Sequence, residues 1–381
     1  MYHFCKLIVI KLPIYNCSLE KICQYSLFYK GKKMKELKIR SKVASKPIIQ
    51  GGMGVGVSLA NLAGAVASEG GVGIISTAQI GYYRDDFEDN PSKSNLLAIK
   101  EQIEKAKEIA KGNGIVGVNV MYALKDYAKH VLAAAEAGAD LVICGAGIPI
   151  DLPDIVKEYD IAIAPIVSSL RCAKMLVEKW LRSYKRLPDM VVIEGPKAGG
   201  HLGFSADEVE NYPNYDEEIK QIIDYTNAVA NENNVAIPVV VAGGVFNKED
   251  IEHAMSLGAA GVQMASRFVC TKECDASDDY KKAYVSANEE DAIIIKSPVG
   301  MPGRALKNRF TEITKDGKYP VERCRGCLKK CKPDSIPYCI TDALIRAVKG
   351  DTENGLVFCG SNVGKIKEIV SVHELMEELF A

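Results

Sequence analysis

Eight short runs rich in valine and isoleucine recur along the chain, all but one of them followed by a segment with clear helical spacing, and this alternation constrains the fold more than any other feature. The runs are Pro47–Gly51, Gly71–Thr77, Ile115–Val120, Leu141–Gly145, Ile161–Val167, Met190–Glu194, Pro238–Gly243 and Gly261–Ser266. Each is too short for a helix and apolar throughout, as a strand covered on both faces must be. The helical segments are Ser58–Glu69, Asn95–Lys111, Leu124–Ala137, Leu170–Ser183, Asp216–Asn231, Lys248–Leu257 and a last one near Asp278–Asn288. Ser58 and Asn247 are the expected caps of two of them. Eight βα units predict an α/β protein of the closed (β/α)8 TIM-barrel type, whose chemistry sits on the loops that follow the strands.

The barrel is expected over residues 34–318, and a small Cys-rich helical appendage over 319–381. Residues 1–33 read differently. Their apolar stretch Leu7–Ile14 is broken by Lys11 and Pro13, and no small-residue cleavage site follows, which argues against a signal peptide. They are expected to be a translated leader ahead of a true start at Met34. The formal net charge of -1 leaves no electrostatic case for nucleic acid or an anionic membrane. No apolar run approaches the roughly 20 residues that span a bilayer. Twelve cysteines without an export signal point to free thiols in a reducing, cytoplasmic compartment.

Glycine clusters fall at the strand ends, where a barrel keeps its ligands: Gly51-Gly52, Gly145–Gly147, Gly199-Gly200 and Gly243-Gly244. The first follows an apolar run and precedes a helix, the context of a dinucleotide-binding turn. It does not have that spacing, because the sixth position counted from Gly52 is Val57 and from Gly54 is Leu59. The matching pattern at Gly112–Gly117 follows a helix and enters a strand, which is the wrong context. A flat ring against Gly51-Gly52 is the better candidate, because glycine lets backbone approach a ring face. Barrels often hold phosphate in the loops after their seventh and eighth strands. Here those loops carry Gly243-Gly244 and Ala265-Ser266, although such glycines also serve simply to turn the chain.

Five ordered motifs, PIIQGGMG, GVNVM, EGPKAGGHLG, VVVAGGV and GVQMASRF, resemble those of the flavin-dependent nitronate monooxygenases, formerly 2-nitropropane dioxygenases. The flavin-dependent enoyl-ACP reductases share the same barrel. The resemblance covers roughly Ile39 to Asn308. It implies an FMN oxidoreductase acting on a small molecule. Gly51, Gly52 and Met53 would pack on the isoalloxazine, and Asn119 would hydrogen-bond it. Gly199 and Gly200 would meet the ring edge, and Glu194 is also counted among the cofactor-binding residues. Gly243, Gly244 and the run Gln263, Met264, Ala265 and Ser266 would hold the phosphate. The implied activity is oxidation of alkyl nitronates with dioxygen. The alternatives are an NAD(P)H-dependent enoyl thioester reductase and a non-catalytic flavin redox sensor. NAD(P)H, if used, enters the same cleft. Nitronate monooxygenases usually carry glutamine where this chain has Glu194, whereas enoyl reductases more often carry glutamate. Lys197 also stands where glutamate is commoner. A homodimer stands among the options for assembly.

His201 is the one histidine in a glycine-rich loop at a strand end, and it is the expected catalytic base: a nitroalkane must lose its α-proton to become a nitronate, and imidazole titrates in the right range. His130 and His253, on charged helices, read as solvated. The segment Ser297–Asn308 is expected to return over the barrel mouth, with Arg304 either meeting an anion there or lying on the surface. Cys324, Cys327, Cys331 and Cys339, spaced C-x2-C-x3-C-x7-C, have the reach of a metal or iron–sulfur site, against the alternative of buried thiols. A capping box at Ser371–Glu374 opens a final helix whose Val372, Leu375, Met376 and Leu379 should dock on the barrel.

Overall fold

The computed structural model describes residues 34–212 and 214–381; the expected leader lies outside them. A short antiparallel hairpin, β1 (Leu37–Ile39) with β2 (Lys42–Ala44), precedes the barrel. The barrel strands are β3 (Ile48–Gln50), β4 (Val72–Ser76), β5 (Ile115–Met121), β6 (Leu141–Gly145), β7 (Ala162–Val167), β8 (Val191–Glu194), β10 (Val239–Ala242) and β11 (Gly261–Met264). All pair in parallel, and β11 returns to β3 with Gln263 opposite Ile49, which closes the eight strands. A smaller three-stranded sheet joins β9 (Gly200–His201), β12 (Ala292–Lys296) and β13 (Pro302–Leu306). Each predicted run coincides with one barrel strand, which is one or two residues shorter at most of its ends, except β5, which runs one residue further, to Met121.

Helices alternate with the strands: α1 (Ala60–Ser68), α2 (Pro91–Ala110), α3 (Tyr127–Glu136), α4 (Leu152–Ile155), α5 (Leu170–Tyr184), α6 (Ala206–Asn211), α7 (Tyr215–Glu232), α8 (Lys248–Ser256), α9 (Ser266–Val269) and α10 (Asp278–Ser286). Two layers of apolar side chains follow from the alternation. Ile49, Val72, Ile74, Ile115, Leu141, Ile143, Val192 and Val240 fill the barrel, and the hairpin adds Leu37, Ile39 and Ala44 to the same cluster. The opposite strand faces bury against the helices, with Trp180 of α5 fully buried and donating from Nε1 to Pro149 O at 3.0 Å.

The first helix corrects an expectation. Ser58 does not cap it; Ser58 Oγ instead accepts from Met53 N–H at 2.8 Å. Three of the free N–H groups at this end go to Asp275, whose carboxylate accepts from Leu59, Asn61 and Leu62, and the Ala60 N–H donates to Gln102 Oε1. Asn247 does cap α8, in a reciprocal box with Asp250.

Beyond the barrel lie α11 (Arg309–Asp316), α12 (Ile340–Val348) and α13 (Val372–Phe380). The segment from residue 319 onward is part of one unit spanning Lys35–Ala381. Val372, Leu375, Met376 and Leu379 are buried as their spacing predicts, and Arg267 of α9 pairs with Glu378 at 2.6 Å. Among the described residues no helix is long and apolar enough to cross a membrane.

Candidate active site

One cavity at the C-terminal mouth of the barrel is lined by every residue expected to hold the flavin or act as its base: Gly51 to Met53, Asn119, Glu194, Gly199 to His201, Gly243, Gly244 and Gln263 to Ser266. They come from five strand ends, and the barrel alone brings them together. Closure of the ring is tied at the mouth itself, where Gly51 N–H donates to Met264 O at 2.8 Å. The buried Gln50 side chain accepts from Ile74 N–H and donates to Ile74 O, and so ties β3 to the middle of the neighbouring strand β4. Gly52 is required for a reason within the protein: a Cβ there would lie 2.4 Å from Asn119 Cβ.

Glu194 ends β8 with its carboxyl group in this cavity and without a hydrogen-bond partner among the described residues. Burial alone pushes it up to about 7, so its charge changes near neutrality. His201 sits in β9, which pairs with β13 through Gly303. Its Nε2 lies 2.7 Å from Ser297 Oγ, and its ring meets Phe358 edge-on at 5.0 Å. Burial pushes the imidazole down to about 4, so it is neutral at physiological pH with a lone pair available.

The return of residues 297–308 over the mouth is observed, since β13 pairs with β9. Arg304 takes neither expected role. It is 7% exposed and donates to the carbonyls of Pro196 and Ala198, holding the loop that carries Gly199 and Gly200. His253 is exposed and pairs with Asp216, as expected. His130 is not solvated: it is 2% exposed, with Nδ1 3.2 Å from Thr77 Oγ1. The Thr77 hydroxyl donates to Asn119 O, so it accepts from His130, which places the imidazole proton on Nδ1.

The C-terminal segment adds residues that the sequence reading missed. Leu306 N–H donates to Val357 O and Cys359 N–H to Arg304 O, so residues 356–359 run antiparallel to β13. Phe358 to Asn362 thereby reach the same cavity. Gly199 must lack a side chain because a Cβ would stand 2.5 Å from the Cys359 backbone. A signal was present: GLVFCGSN is a short apolar run ending in Gly-Ser, the form of the barrel's own strand ends.

The arrangement fits a flavin. The N–H groups of Gly243, Gly244 and Val245 find no acceptor among the described residues, in the late loops where phosphate was expected. Ser266 Oγ accepts from Gly360 N–H at 2.9 Å, which leaves its proton free to donate. The four C-terminal cysteines lie elsewhere. Among the described residues no three of their sulfurs fall within 4.8 Å of one another; the group that meets this limit is Glu69, His373 and Glu377 at the surface, with Lys46 Nζ already on both glutamates.

The profile of a family described as nitronate monooxygenase matches residues 35–381. A Bacillus subtilis protein named "Probable nitronate monooxygenase" is 26% identical over 363 residues, covering 88% of this chain and 95% of that protein. A Mycobacterium tuberculosis protein is 26% identical over 362 residues, covering 87% and 91%. It is named as a dehydrogenase of a hydroxy-methyl-oxo-octahydroindene carboxyl-CoA. The solved structure of FabK from Thermotoga maritima superposes with a TM-score of 0.66 at 26% identity, covering 88% of this chain and 91% of that one. With the profile matched along the whole barrel and its C-terminal segment, this chain is an oxidoreductase that belongs to the flavin-dependent nitronate monooxygenase family.

Proposed function

We propose that the enzyme binds FMN and oxidises alkyl nitronates with dioxygen. The observation that carries this reading is the convergence of Asn119, Glu194, His201 and the three glycine pairs Gly51-Gly52, Gly199-Gly200 and Gly243-Gly244 on one cavity. Phosphate-binding capacity is concentrated in one place, the unpaired N–H groups of Gly243 to Val245, which suits the single phosphate of FMN rather than a pyrophosphate. The chemistry a bound flavin supplies is electron transfer from the nitronate to dioxygen.

The chain's own residues would do the rest. Gly51 to Met53 and Asn119 would orient the ring. His201, neutral and partly facing the cavity, would accept the α-proton of a neutral nitroalkane, with Ser297 holding the imidazole by its Nε2. Arg304, bonded to Pro196 O and Ala198 O, would keep the 196–201 loop in register for that transfer.

A second reading is favoured by a specific residue. Glu194, in place of the usual glutamine, together with the likeness to FabK and to a CoA-thioester dehydrogenase, supports reduction of an enoyl thioester with NAD(P)H. Anaerobic mixing of the purified protein with a nitronate and, separately, with NADH decides between them. Bleaching of the flavin by the nitronate alone is the expected result. Bleaching by NADH alone, followed by turnover of a crotonyl thioester, would replace nitronate oxidation with enoyl reduction.

A further inference from the structure

We infer that Ser361, in the C-terminal segment, is a ligand of the flavin's phosphate monoester, so that the phosphate cradle is completed from outside the barrel. This rests on the flavin reading above. Buried hydroxyls almost always have a partner. Ser361 Oγ is one of three buried side-chain polar atoms among the described residues that lack one, with Tyr127 Oη and Arg325 Nε. Only Ser361 belongs to a residue that lines the mouth cavity.

Its surroundings are the phosphate loops themselves. Ser361 N–H donates to Lys197 O at 3.2 Å. On one side Gly360 N–H donates to Ser266 Oγ, and on the other Asn362 Nδ2 donates to Gly244 O at 2.7 Å. The segment is thus stitched to both late-barrel loops, beside the unpaired N–H groups of Gly243 to Val245. A phosphate monoester offers several anionic oxygens. Backbone N–H groups would bind some of them, and a hydroxyl that has no acceptor in the protein would donate to another.

Binding of FMN and of riboflavin to the flavin-stripped full-length chain, followed by quenching of flavin fluorescence, tests this. Riboflavin has the same ring and ribityl chain but no phosphate. Ser361→Ala is expected to weaken FMN binding about tenfold, the order of a charge-assisted hydrogen bond, and to leave riboflavin affinity unchanged. An equal loss for both ligands would mean that Ser361 supports the fold of the segment, and would overturn the assignment. So would unaltered FMN affinity. Unmutated protein that binds neither flavin would remove the flavin reading and this assignment together, and that outcome is distinct because no substitution is needed to see it.

Discussion

His201 Nε2 lies 2.7 Å from Ser297 Oγ, two residues separated by 96 positions and joined because β13 folds back onto β9. The pairing fixes the imidazole plane at the barrel mouth. If His201 is the base, His201→Ala should lose turnover of a neutral nitroalkane by roughly 10²–10⁴-fold, the usual worth of a positioned base. Preformed nitronate has already lost its proton, so its oxidation should fall much less. Steady-state rates on the two substrates make the comparison. Equal losses would assign His201 to positioning. The base works in its neutral form, so the nitroalkane rate of the unmutated enzyme should hold from neutrality downward and decline only as pH falls toward about 4.

Glu194 gives a second titration. Its folded value, raised by burial to about 7, lies above the ordinary 4.5. Between those values the folded state holds more protons than the unfolded state, so stability falls as pH rises from about 4.5 to about 7. Glu194→Gln should abolish that fall and leave the flavin-free protein more stable at pH 8, by on the order of 2–3 kcal/mol. Urea denaturation at pH 5 and pH 8 measures it. Parallel pH dependence in variant and parent would show that the carboxyl ionises normally.

Gly244 adopts φ +91°, and a Cβ there would meet the Lys197 side chain at 3.0 Å. Gly244→Val should therefore distort the late-barrel loop and lower flavin retention. The flavin-to-protein absorbance ratio after gel filtration reads this directly. Flavin released by heat should be FMN; FAD in that supernatant would contradict the single-phosphate site.

Asp275 receives three N–H groups from the first turn of α1. Asp275→Ala leaves them unpaired and should cost about 1–3 kcal/mol. Thermal melts of Asp275→Ala and Ser58→Ala should rank in that order. A larger loss for Ser58→Ala would restore the local cap.

The eight strands and the cavity glycines were legible in the sequence because their signals are local. A strand buried on both faces must be short and apolar, and a backbone that passes Asn119 or Cys359 at contact distance must be glycine, as at Gly52 and Gly199. Burial of polar groups is not local. His130 lies on a helix of ordinary charge, and its solvation is removed by Thr77, 53 residues away. The α1 cap comes from Asp275 and not from the adjacent Ser58, because a carboxylate at that position can serve three N–H groups where Ser58 Oγ is already engaged by Met53. Arg304 gave no sign in sequence of being enclosed, since only the closing of β13 over the 196–198 loop brings two carbonyls to its guanidinium. The same closure carries Phe358 to Asn362 to the mouth. Periodicity and glycine placement thus identified which strand ends meet, whereas the partners of each buried polar group were set by long-range packing, because a hydrogen bond desolvated by folding goes to whichever donor or acceptor the fold delivers.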